Sequence, residues 1–305
     1  MSFSPYGPQP VLIPPPRGAP ENALNRVPQI TEFGRIGFKQ DELYWPWFLD
    51  TSSTGDIAVA DTDNNRIQVF NTHTHSVVFP PYGVQGQGTN KGELLAPRSV
   101  KYSPIPELHF TVADTGNRRV VLLRINFKSG CLEEVGEFGR TIFREPSDVS
   151  CDWRTGNMYV TDTSLNKVTI HNKYGELVSE LRPQPQRPFY QPMGVAVDEN
   201  GRVFVTDMGN NAVKIFDRNG DFIQEIGGLG TGLGQFNRPK GICIDRKGYI
   251  YIADEGNSRV QMWSSDLKYM SEIITSTPMP KGVAAHNQLF VTTGDQYNFV
   301  KVYNM

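Results

Sequence analysis

Short apolar runs separated by Gly, Asn and Asp clusters recur along most of the chain. Between Gly194 and Gly227 they are Val195–Val197, Val203–Thr206, Ala212–Phe216 and Phe222–Ile226. Runs rich in Val, Ile and Phe, bounded by turn formers, read as strands. Asn200-Gly201 and Asn219-Gly220 fall in two of the links, and Asn-Gly is a strong hairpin signal. The stretch predicts a four-stranded antiparallel meander.

The meander repeats. An Asp closes the second strand, a polar turn follows, and a basic residue usually opens the third. The pattern runs Asp61–Arg66, Asp114–Arg119, Asp162–Lys167, Asp207–Ala212 and Asp254–Arg259, with Asp spacings of 53, 48, 45 and 47. A degraded sixth copy spans 291–300. Four-stranded units repeating every 40–50 residues or so are the signature of propeller blades. The predicted fold is therefore all-β: a six-bladed β-propeller of four-stranded antiparallel blades. Ile30–Phe33 resembles a fourth strand with no blade before it, while the last blade lacks its outer strand. Pairing the two closes the ring and removes an open edge.

The chain has 305 residues and a formal net charge of −2, so nothing global demands a nucleic acid or an anionic membrane. No apolar run approaches the roughly 20 residues of a membrane span, and the N-terminus lacks the pattern of a secretion signal. Cys131, Cys151 and Cys243 are isolated and odd in number, the pattern of reduced thiols in a cytoplasmic protein. Cys243, inside a strand, is expected in the core. Residues 1–27 hold seven of the 22 prolines and predict an extended leader. The propeller is expected over 28–305.

Gly228–Ile242, with its Gly-Gln-Phe-x-x-Pro-x-Gly-Ile ending, leads into Tyr249–Asp254 and Gly-Asn-x-Arg-Val. This pattern resembles the NHL repeat. Six such repeats resemble the propeller of TRIM-NHL proteins, whose members regulate mRNAs or recruit proteins for ubiquitylation. No C-x-x-C is present, so the RING and B-box zinc modules of that family are not expected here. The chain is then a fragment or a stand-alone propeller.

The repeated Asp, and the basic residue that mostly accompanies it, are expected to be architectural, since a role repeated around the ring is a structural one. The segments before each first strand differ between blades and should line the channel rim on one face. They supply Tyr44, Trp47, Arg98, Arg144, Tyr190, Arg238, Lys240 and Lys281, with Tyr297 from a turn on the same face. Cations beside flat rings suit single-stranded RNA, through phosphate contact and base stacking. The resemblance implies the same face for RNA. The sequence thus predicts an RNA-binding module in post-transcriptional mRNA regulation, with targets in 3′ untranslated regions, uridine-rich ones included, and no DNA or membrane partner. The alternative is a protein-interaction propeller, serving a ubiquitin ligase or a silencing complex. The five histidines do not converge: His73, His75 and His171 are expected beyond the third strands, toward the outer edge. No metal, no cofactor and no enzyme activity are expected.

Overall fold

The computed structural model of the chain describes residues 29–274, 279–294 and 299–305; the proline-rich stretch 1–27 and Tyr297 lie outside the described residues. Gln29–Phe33 (β1) precedes the blades. Blade one holds Leu49–Thr51 (β2), Asp56–Asp61 (β3) and Arg66–Asn71 (β4). Gly83–Gln87 (β5) and Glu93–Leu94 (β6) pair in parallel in the following link. Blade two holds Ser99–Tyr102 (β7), Phe110–Asp114 (β8), Arg119–Asn126 (β9) and Cys131–Phe138 (β10). Blade three holds Pro146–Cys151 (β11), Met158–Asp162 (β12), Lys167–His171 (β13) and Leu177–Glu180 (β14). Blade four holds Pro192–Val197 (β15), Val203–Asp207 (β16), Ala212–Phe216 (β17) and Phe222–Gly227 (β18). Blade five holds Pro239–Ile244 (β19), Ile250–Asp254 (β20), Arg259–Trp263 (β21) and Tyr269–Ile274 (β22). Pro280–Ala285 (β23), Gln288–Thr293 (β24) and Val300–Asn304 (β25) begin blade six.

β1 completes the sixth sheet in the order β1-β25-β24-β23, with Phe33 opposite Val300 and Thr31 opposite Val302. The ring is closed as the sequence predicts. Blade one differs at its outer edge, where the bridges Phe70–Val77 and Ile67–Tyr82 stand in for a fourth strand. Pro80 and Pro81 lie between them and have no N–H for a ladder.

The apolar core lies between blades. Val195, Val205 and Phe216 of blade four, for example, pack on Tyr159 and Ile170 of blade three, each such burial worth roughly 1.5–3 kcal/mol. Near the axis the inner strands press together. The Thr206 hydroxyl donates to Lys240 O at 2.5 Å and the Thr161 hydroxyl to Met193 O at 2.7 Å. A Cβ on Gly241 would stand 2.5 Å from Lys281 O, closer than side chains pack, so glycine is what lets blades five and six approach.

The repeated Asp is architectural, as its recurrence implies. Its carboxylate accepts an N–H from the segment entering its own blade: Tyr44 on Asp61, Leu95 on Asp114, Tyr190 on Asp207 and Asn237 on Asp254, at 2.6–2.8 Å. The second oxygen takes the guanidinium of Arg66, Arg119 or Arg259 at 2.7–2.8 Å. Blade four has Ala212 at that position, and Lys214 reaches Asp207 instead, at 2.5 Å. These buried ion pairs fix the entry segments of blades one, two, four and five, and with them one face of the channel.

Candidate ligand site at the mouth of the central channel

Each entry segment carries a proline where its inner strand begins. In five blades the residue before it, Trp45, Ala96, Gln191, Arg238 or Met279, sits in the left-handed region with φ of 46–66°, uncommon for residues other than glycine. The N–H groups of Ala96, Gln191 and Arg238 are held by Asn65, Asn166 and Asn211 of the preceding blade at 2.7–2.9 Å. The residue after each proline then begins the channel wall. Those six are Trp47, Arg98, Ser147, Met193, Lys240 and Lys281.

Trp47 is the centre of this ring. The Arg98 guanidinium lies 4.5 Å from its ring centroid, Lys240 Nζ 4.8 Å and Lys281 Nζ 5.1 Å. Lys281 Nζ is also 4.0 Å from the Trp45 centroid, so two indoles face one amine. Phe48, Met193 and Met208 close the apolar floor.

Two of the three cations have carboxylate partners. Arg98 pairs with Glu145 at 2.6 Å and bonds the Ser147 hydroxyl at 3.2 Å. Lys240 pairs with Glu255 at 2.5 Å, and Arg238 approaches the same carboxylate at 3.4 Å. Lys281 differs. It is 1% exposed, and its Nζ is buried without a hydrogen-bond partner among the described residues, a costly arrangement for a charged amine. Burial, followed by the Lys240 ammonium, pushes its pKa down to about 7. Burial also lowers Lys240, against the pull of Glu255. At Glu145, burial opposes ionisation but the Ser164 hydroxyl and Arg98 outweigh it, and its pKa falls.

The structure separates the predicted contact residues into two groups. Trp47, Arg98, Lys240 and Lys281 converge in the mouth. Arg144, Tyr190 and Arg238 stand exposed on the outer rim, and half-buried Tyr44 packs on Phe38 at 5.3 Å instead. Sequence reasoning placed the cations on a surface; the burial of Lys240 and Lys281 was not visible there. It also missed Glu255, whose turn position signals no more than a solvated charge.

The channel's opposite end holds a cavity of about 160 Å³ lined by Asp50, Lys101, Tyr102, Cys151 and Cys243, among others. Cys243 is buried as expected, though it borders this cavity rather than packed core alone. Burial raises both thiols, Cys151 to about 12, which keeps them protonated and unreactive. Asp148 lies deeper, accepting the Ser99 hydroxyl at 2.5 Å and Val195 N–H at 2.9 Å, and so ties blades two, three and four. His171 corrects the expectation for its position: it lies within β13, fully buried, bonded to Gly175 O and the Thr169 hydroxyl. Its two neighbours fill both ring nitrogens. Among the described residues no group of three or more His, Cys, Asp or Glu is placed to hold a metal ion. None of the described helices is long and apolar enough to cross a membrane.

A family model for the NHL repeat matches residues 43–70, and one for a six-bladed β-propeller matches 192–300. The chain is a six-bladed β-propeller that carries a match to the NHL repeat in its first blade. No curated protein matches its sequence. Solved structures of similar fold include a streptogramin B lyase, 15% identical with a TM-score of 0.60 over 90% of this chain and 86% of that one. A gluconolactonase from Xanthomonas campestris is 14% identical, with a TM-score of 0.63 over 92% and 97%. A chain of the nidogen/laminin complex is 14% identical, with a TM-score of 0.62 over 82% and 88%. Two of these three are enzymes, which corrects the expectation that a propeller of this kind is not one. That expectation rested on scattered histidines, and histidines are not the only groups by which a propeller channel can do chemistry.

Proposed function

We propose that this NHL propeller is a recognition module whose channel mouth takes an anionic side chain or C-terminal carboxylate from a protein partner. One observation carries the proposal: Lys281 Nζ is buried beside two cations already paired with carboxylates and has no hydrogen-bond partner of its own among the described residues. A carboxylate entering the ring would meet that amine and the Arg98 fork together. The depth of the cations favours a single inserted group. Lys240 and Lys281 are 6% and 1% exposed, out of reach of a phosphate backbone running across the face. A buried anchor inside a polar rim is also how protein interfaces concentrate their affinity.

A second reading has its own observation. Tyr190, Arg144 and Arg238 are exposed on the rim, as stacking and phosphate contacts for single-stranded RNA require; this is the use the TRIM-NHL resemblance implies. Binding to an acidic peptide library and to a pool of short RNAs, across a salt series, separates the two. The peptide reading expects binders that depend on one Asp, Glu or free C-terminus and are lost in Arg98→Met. RNA binding that falls steeply with salt and is lost in Arg238→Glu, with no peptide selected, would overturn it in favour of the second.

A further inference from the structure

Building on the anion-accepting mouth, we propose that Lys281 is a nucleophilic amine that captures the carbonyl of a small 2-oxo acid as an imine. Four features of the site bear on this. Among the described residues the amine is buried without a hydrogen-bond partner, and burial with the Lys240 ammonium outweighs the Glu255 and Asp63 carboxylates that favour its protonation. A second ammonium, Lys240, lies against the same Trp47 ring. Desolvation beside another cation is the arrangement that activates lysine for carbonyl chemistry, and with a pKa of about 7 a large share of the amine is neutral at neutral pH. Arg98, whose guanidinium lies 4.5 Å from the centroid of the same Trp47 ring, presents a planar fork suited to a carboxylate.

In the step itself the nitrogen lone pair forms a C–N bond to the carbonyl carbon. The carbonyl oxygen takes the proton that the nitrogen gives up, making a carbinolamine. Loss of the hydroxyl with the second nitrogen proton, as water, leaves the C=N bond. Atoms and electrons balance without an oxidant or reductant. Trp45 sets access: its indole lies over the amine on a rim residue that is 37% exposed, so it must swing aside for a ligand to enter.

The test is reductive trapping with cyanoborohydride near pH 7, using glyoxylate as the anionic aldehyde and propionaldehyde as the neutral one, with the adduct mapped by peptide mass spectrometry. The glyoxylate adduct is expected at Lys281 at a rate about tenfold or more above the exposed lysines. Trp45→Ala should speed it, and Lys281→Arg should abolish it while circular dichroism shows the propeller intact. Labelling spread over surface lysines, or unchanged in Lys281→Arg, would overturn the proposal. The anion-binding reading fails separately. Rapid labelling of Lys281 by both aldehydes alike, unaffected by Arg98→Met or by added malonate, would leave the nucleophile standing and remove the carboxylate site. Protection of the mouth by malonate without any Lys281 adduct would do the reverse.

Discussion

Lys281 gives the channel mouth a pH dependence with a definite sign. Its folded pKa lies near 7, below the ordinary lysine value of 10.5. Between those two values the unfolded chain holds a proton that the folded chain lacks, so this group makes stability rise with pH across that window. Its contribution is at most about 1.4 kcal/mol per pH unit. Below pH 7 both states are protonated and the penalty of burying the charge is fully present. Lys281→Met should therefore flatten the stability profile between pH 7 and 10, as read by urea denaturation at a series of pH values; an unchanged slope would place the charge elsewhere. The chain announced this residue only in part. Lys281 follows Pro280 as Lys240 follows Pro239 and Arg98 follows Pro97, so the ring of post-proline residues could be read from the sequence. Their depth could not, because it depends on how far neighbouring inner strands and the Trp45 and Trp47 indoles close over them.

At the scale of the element, the Asp–turn–Arg unit converts a sequence repeat into a fixed geometry. Asp61, Asp114, Asp207 and Asp254 are fully buried, and each joins a turn, an entry segment and a cation, so removing its cation strands a charge. In blade four that cation is Lys214. Lys214→Gln is expected to cost about 3–5 kcal/mol, the range for breaking a buried pair, in chemical denaturation. Adding Ala212→Arg, which restores the arrangement of blades one, two and five, should recover much of the loss. Failure of that rescue would mean that Lys214 acts through its contacts with Arg187 O and Pro188 O rather than through Asp207. Gly241 belongs to the same scale. Gly241→Ala drives a methyl toward Lys281 O and should lower stability by about 1–3 kcal/mol, with a change in ligand binding at the mouth as its sign of function. The repeat itself was fully legible, since strand runs, Asn-Gly turns and the Asp spacing all agree. Blade one's irregular outer edge was the exception, marked only by Pro80-Pro81.

For the whole molecule, closure by β1 matters most. Phe33 is buried on β1 and packs on Phe70 of blade one at 5.1 Å and against His75 at 4.8 Å. It thus joins the sixth blade to the first. Phe33→Ala is expected to destabilise the propeller by about 3–5 kcal/mol, with exposed-edge association visible by light scattering before global unfolding. Unfolding at the wild-type temperature would show that the ring holds without this clasp. That closure was foreseeable because a lone fourth-strand pattern at Ile30–Phe33 matched a last blade of three strands that lacked its outer one. What the ring does was less foreseeable, since function rests on charges that differ from blade to blade and on distances that only the folded ring sets.

The pairing of Thr31 with Val302 also has a temporal consequence. During synthesis β1 emerges early and must wait for almost the whole chain before its partner exists. Until then it offers an unpaired edge to whatever is nearby, and every other blade can assemble first. Ring closure is then the last long-range contact made and the slowest loop to find. A ribosome stalled just short of β25 should hold a string of formed blades rather than a propeller, and protease should cut that string at the waiting strand.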